Sequence, residues 1–148
     1  MKKVIESKIR DRAGKSTGKL TKADLEKVTT LNLDSIILTE VKELEKLTQL
    51  QKLVLQYNQL TKIPKGLENL TQLGSLNLDH NRLTDVKGLE KLTELSLGGN
   101  ELTNVKGLEN LTQLRELFLL NNLDLTKAQI AELQKALPNC KITSNPTK

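Results

Sequence analysis

Leu73-Gly74-Ser75-Leu76-Asn77-Leu78-Asp79-His80-Asn81-Arg82-Leu83 alternates leucine with polar residues and then places an asparagine before its last leucine. It sets out a frame, L-x-x-L-x-L-x-x-N-x-L, that recurs along the chain. The same frame fits at Leu50, Leu53, Leu55, Asn58 and Leu60, and again at Leu92, Leu95, Leu97, Asn100 and Leu102. Val28, Leu31, Leu33 and Leu38 fit it as well, with Ile36 where the asparagine belongs. Leu114, Leu117, Leu119 and Asn122 begin a further copy, in which one inserted residue moves the last leucine to Leu125. A final half-copy reads Leu137, Cys140, Ile142 and Asn145. The copies start at residues 28, 50, 73, 92, 114 and 137, in steps of 22, 23, 19, 22 and 23. Between frames a second phrase repeats, Val86-Lys87-Gly88-Leu89-Glu90 and Val105-Lys106-Gly107-Leu108-Glu109. A period of this length marks a stacked-repeat architecture.

The frame has a direct physical meaning. Leucines at positions 4 and 6 alternate with polar neighbours, the period of a half-buried strand. Each coil returns to the same place after some twenty residues, so successive strands pair in parallel. One coil cannot bury its own leucines, and stacking makes a continuous aliphatic core. The asparagine at position 9 sits where the chain turns inward and backbone groups lose their ladder partners. Its amide offers donors and an acceptor to satisfy them. Asn58, Asn81, Asn100, Asn122 and Asn145 are therefore expected to form a buried ladder. Ile36 cannot join it, which predicts that the first coil is closed by the segment before it.

Both ends of such a stack need covers, since bare ends expose leucines and strand edges. Val4, Ile5 and Ile9 are expected on one face of a first helix, with Gly14 and Gly18 separating it from the next element. Thr21, with Asp24 three residues on, reads as the N-cap of a helix reaching about Lys27, and Thr126 with Gln129 as a capping box opening another. Ala128, Ile130, Ala131, Leu133, Ala136 and Leu137 give the last helix its apolar residues, and Pro138 stops it. The predicted division is a helical N-terminal cap over 1–27, about five repeats over 28–125, and a capping helix with a half-repeat strand over 126–148. All three form one structural domain.

These frames resemble the leucine-rich-repeat family over residues 20–145 or so. The mixed 22- and 23-residue steps are similar to short bacterial and phosphatase-regulator repeats. Leu20-Thr21-Lys22-Ala23-Asp24-Leu25 resembles the helical N-caps of bacterial repeat proteins such as internalins. Leu125-Thr126-Lys127-Ala128-Gln129-Ile130 resembles the more helical ribonuclease-inhibitor type. Two departures stand out: Ile36 in place of a ladder asparagine, and a 19-residue step that shortens the back of one coil. The resemblance implies an α/β, right-handed leucine-rich-repeat solenoid, with a parallel β-sheet on the concave face and helical caps. It also implies a bacterial protein that binds other proteins.

Composition excludes several other classes. The chain has 148 residues, enough for one domain. Tyr57 and Phe118 are its only aromatics, so platforms for stacking nucleic-acid bases are missing. Cys140 has no cysteine to pair with and His80 no histidine to share a zinc ion with. Cys140 is expected as a buried small hydrophobe, and neither metal nor cofactor is expected. No apolar run approaches a membrane span, and no signal peptide is recognisable, so the chain reads as soluble with its compartment open.

Two local features invite a chemical reading. Gly14-Lys15-Ser16-Thr17 mimics the end of a phosphate-binding loop, but Ile9 stands where the loop needs glycine. Residues 1–22 hold eight basic and two acidic residues, the source of the whole net charge of +5. The expected reading is a solvated cap helix; an anionic nucleic acid or lipid ranks behind it.

The outward face of the sheet remains. Lys52, Ser75, Glu94 and Glu116 stand at position 3, with Val54, Asn77, Ser96 and Phe118 at position 5. Gln56, Asp79, Gly98 and Leu120 follow at position 7, and Tyr57, His80, Gly99 and Asn121 at position 8. Partner-binding candidates are Lys52, Val54, Gln56, Tyr57, Asn77, Asp79, His80, Glu94, Ser96, Glu116, Phe118 and Leu120. Phe118 with Leu120, and Tyr57 beside His80, are the expected anchors; Phe118 packed under the C-terminal cap and Tyr57 as plain surface is the competing reading. His80 and Cys140 lie too many coils apart for a nucleophile–base pair, and no catalytic residues are expected. The expected function is non-catalytic protein binding by a monomer through the concave face. The alternative is a scaffold segment of a larger bacterial surface or signalling protein.

Overall fold

Six three-residue strands form one parallel sheet in sequential order. They are β1 (Thr30–Asn32), β2 (Lys52–Val54), β3 (Ser75–Asn77), β4 (Glu94–Ser96), β5 (Glu116–Phe118) and β6 (Lys141–Thr143). The computed structural model that shows them describes residues 2–148. In β1 to β5 each strand covers positions 3 to 5 of its frame, with a buried leucine between two more exposed neighbours. Register aligns Leu31, Leu53, Leu76, Leu95 and Leu117 in one row. The frame leucines make a single core, most of them under 4% exposed. Its stability therefore comes from aliphatic burial shared between coils rather than from any one element.

Behind the sheet, short 3-10 turns run over Leu44–Lys46, Leu67–Asn69 and Leu108–Asn110. The coil with the 19-residue step has no such turn among the described residues. Three missing residues correspond to one turn of 3-10 helix.

The asparagines bridge adjacent coils. Asn81 Oδ1 accepts the Leu60 N–H at 3.0 Å, while Nδ2 donates to Leu55 O, Leu78 O and Asp79 O at 2.9, 3.1 and 3.3 Å. Asn58 serves Leu38 N–H, Leu33 O and Leu55 O in the same way, Asn100 serves Leu83 N–H, Leu78 O and Leu97 O, and Asn122 serves Leu102 N–H, Leu97 O and Leu119 O. Each side chain thus satisfies its own coil and the coil before it. This explains Ile36 better than closure by the cap does. The turn of the first coil is already served by Asn58, and an asparagine at 36 would have no earlier coil to reach. Ile36 packs on the core instead. Ile36→Asn should accordingly lower stability, by about 1–3 kcal/mol for an ill-matched amide. A raised urea midpoint would show that position 36 does want a ladder amide.

The last half-copy departs from expectation. Register sets Ile142, not Cys140, opposite Leu117, so the frame is displaced by two residues. A two-residue shift keeps the inward and outward faces, which is why the sequence pattern tolerated it. Cys140 is buried just before β6. Asn145 leaves the ladder: it is exposed, with Oδ1 accepting the Asn121 N–H at 2.7 Å. In earlier coils that N–H position bonds a carbonyl of the following coil, as His80 N–H does to Gly98 O. The Asn145 side chain replaces that carbonyl.

At the front, α1 (Lys2–Ala13) packs on β1 and on α2 (Lys22–Leu25). Ile5, Ile9 and Ala13 face the core, but Val4 is 44% exposed and off the expected face. At the back, α3 (Lys127–Ala136) buries Leu133, with Ile130 packed beside it, whereas Ala128, Ala131 and Ala136 are exposed. Both capping boxes are formed, Thr21–Asp24 and Thr126–Gln129.

Asp24 also accepts Lys15 Nζ at 2.7 Å, as well as the Thr21 hydroxyl and N–H. These bonds, that from Lys15 foremost, hold its carboxyl well below the usual carboxylate range. The folded state therefore binds this proton less readily than the unfolded chain. Its contribution is complete above about pH 4 and is lost as pH falls further. The gap in urea midpoint between wild type and Asp24→Asn should be constant from neutral pH down to that point and narrow below it. A gap that stays constant into strong acid would contradict the assignment.

Candidate concave interface

Beyond each strand the chain turns a corner at position 8. Ser35, Tyr57, His80, Gly99 and Asn121 all have left-handed backbones there, with φ of 54°, 53°, 52°, 63° and 60°. The repeated corner aligns their side chains in one row along the rim. Within that row the Tyr57 and His80 rings stack, with centroids 4.4 Å apart and planes 4° from parallel. A Cβ on Gly99 would come within 2.6 Å of His80 Nδ1, so the bare glycine leaves room for the imidazole. Asp79 leans over the neighbouring glycine and accepts the Gly98 N–H at 2.6 Å. Burial pushes the Asp79 carboxyl above its ordinary value, with the Gly98 amide and His80 drawing it partly back.

The other candidates take the same face by register. Lys52 and Glu116 are exposed, and Val54, Gln56, Asn77, Glu94 and Ser96 are half-buried. Asn77 donates to Gln56 Oε1 at 3.3 Å and accepts the Asp79 N–H at 2.9 Å. Phe118 lies half-buried between Ser96 and Thr143, and Leu120 is 39% exposed. Tyr57, the more exposed aromatic at 55%, lies three coils from Phe118, roughly 14 Å by strand spacing. The anchors therefore form two patches rather than one.

The other sequence candidates are engaged elsewhere. Lys15 is tied to Asp24, so Gly14-Lys15-Ser16-Thr17 does not present a free lysine to a phosphate. Burial, with the Glu116 charge adding to it, pushes the Cys140 thiol up and away from its reactive thiolate. Of the basic residues near the N-terminus, Arg10, Lys15 and Lys22 pair with Glu6, Asp24 and Glu26.

Two exposed apolar residues escaped the sequence reading. Ile37 and Leu123 are 64% and 68% exposed, both at position 10 of their frames. Position 10 is unconstrained in the frame, so nothing in the pattern singled it out. Ile37 is also left-handed, with φ of 58°, a poor backbone for a β-branched side chain. Ile37→Asn should raise stability by about 1 kcal/mol by relieving it; an unchanged thermal midpoint would mean that no strain is stored there.

The description "Leucine Rich repeats (2 copies)" matches residues 48–91. Among solved structures, an internalin of Listeria monocytogenes superposes over 95% of this chain with a TM-score of 0.79 and 27% identity. A leucine-rich-repeat protein of Leptospira interrogans covers 86% of the chain at 30% identity, with a TM-score of 0.71.

This chain has the leucine-rich-repeat fold.

Its repeats resemble those of the internalins. It spans only 42% and 34% of the length of those two bacterial relatives. A chain of the Drosophila melanogaster SNF/U2A' complex shares the fold at 23% identity, with a TM-score of 0.68 over 89% of this chain and 87% of its own. Among curated protein sequences, none matches. Leucine-rich-repeat proteins generally serve as interaction modules rather than enzymes. No described helix of this one is long and apolar enough to cross a membrane.

Proposed function

We propose that this leucine-rich-repeat protein is a non-catalytic, monomeric module that binds a protein partner through its concave sheet face. The observation that carries the reading is the pair of patches, Tyr57 with His80 and Phe118 with Leu120. They stand on a sheet face otherwise lined mainly by polar and charged side chains, and exposed aromatics in such settings act as anchors. His80 is committed to its stack with Tyr57, and Cys140 is buried, so neither is poised for catalysis.

Partners captured from the source organism by the full chain supply the test. Phe118→Ala and Tyr57→Ala should each weaken binding tenfold or more, about 2 kcal/mol, with the fold intact. Lys87→Glu and Lys106→Glu on the back should change it little. The reverse pattern would place the interface on the wrong side. A second reading, a scaffold segment within a longer bacterial protein, draws support from the small share of its relatives that the chain spans. It predicts that no partner is captured by the chain alone.

A further inference from the structure

We propose that the gap between the N-terminal cap and the first coil binds a small uncharged molecule, an aliphatic chain ending in a hydroxyl. The gap is a cavity of about 540 Å³, and its apolar walls are Ile5, Ile9, Leu20, Leu25 and Leu47. That volume falls within the roughly 300–1,000 Å³ of small-molecule sites. It lies behind the sheet, where Glu40, Lys42 and Glu43 lead into the first 3-10 turn, away from the outward columns. The cap itself creates it. α2 has four residues and α1 reaches the core through Ile5, Ile9 and Ala13, so the first coil is covered without the space between being filled. Leu47 is fully buried, yet Ile5, Ile9, Leu20 and Leu25 remain only partly buried. Aliphatic surface in this state lacks partner atoms on one side, and an apolar chain entering the cavity supplies them.

The charged residues at the mouth are already neutralised in pairs. Glu6 Oε1 accepts from Arg10 Nη2 at 2.7 Å, Glu40 Oε1 meets Lys42 Nζ at 2.9 Å, and Glu43 Oε2 accepts from Lys46 Nζ at 2.9 Å. A carboxylate or ammonium head would enter this ring without a counter-charge and would lose hydration in doing so. A hydroxyl both donates and accepts, so it can join an ion pair without breaking it. The mouth therefore selects an uncharged polar end and the walls an aliphatic body.

The full chain is titrated with N-phenylnaphthylamine, a neutral dye that fluoresces in apolar surroundings. It should take up the dye at a single site, and decanol should displace it. Decanoate and decylammonium, likewise below their micelle concentrations, should each be about tenfold or more less effective. Decanol should also raise the melting temperature, because it binds the folded chain and not the unfolded one. Leu25→Phe fills the cavity and should weaken dye and decanol binding about tenfold or more, with the circular dichroism of the wild type retained. Should that variant fail to fold, Leu20→Phe, from the loop before α2, carries the same test. No dye uptake, equal displacement by all three compounds, or uptake unchanged in the filled variants overturns the proposal. Uptake that rises on dilution would assign the cavity to a second copy of the chain, and uptake abolished by a captured protein partner would assign it to that partner. Either result overturns the proposal as well.

Discussion

Asn81→Ala is expected to lower the stability of the protein by about 2–4 kcal/mol. The side chain holds four backbone groups at once, the Leu60 N–H and the carbonyls of Leu55, Leu78 and Asp79. Most of those groups are buried, and alanine leaves them with neither protein nor water partners. The cost is that of several orphaned polar groups rather than of one exchanged hydrogen bond. Because the amide joins two coils, its loss also weakens the interface between them, the term that sets cooperativity in a stacked-repeat protein. The shift should appear as a lower urea midpoint, and Asn100→Ala should behave alike. An unchanged midpoint would show that water reaches these groups.

Removal of residues 1–19 should have a still broader effect. It takes away Ile5, Ile9 and Ala13, which pack on the core, together with the Lys15 partner of Asp24. It also uncovers the free edge of β1. We expect the truncated chain to aggregate, although the deleted segment is rich in charge, because an uncovered coil presents contiguous leucines and unpaired strand groups. Light scattering and dye binding against the full chain would read this directly. A truncated chain as soluble and stable as the whole would make the N-terminal segment a dispensable basic tail.

The fold was legible because its determinants are local and repeated. Leu53, Leu76 and Leu95 fall at the same frame position and in the same structural row. The frame also located the asparagines, but not their reach: that Asn58 completes the coil before its own is a relation between coils, invisible within one frame. The half-copy at the end misled because Cys140 and Ile142 both suit an inward position, and alternation cannot separate registers two residues apart. The candidate face was legible as columns, since alternation dictates which side chains turn outward. The columns also set Tyr57 beside His80, but the parallel stacking of their rings and the strained Ile37 were not legible, because both depend on left-handed corners that non-glycine residues seldom signal.

Hydrogen–deuterium exchange on the full chain, with and without its captured partner, reads out which face of the solenoid the partner covers. The outward residues of β2 to β5 and the rim row from Tyr57 to Asn121 surround the proposed anchors. On this account their segments gain protection on binding, while the back-side turns at Leu67–Asn69 and Leu108–Asn110 exchange as before. Protection confined to those back-side turns or to α1, with the sheet segments unchanged, would contradict it.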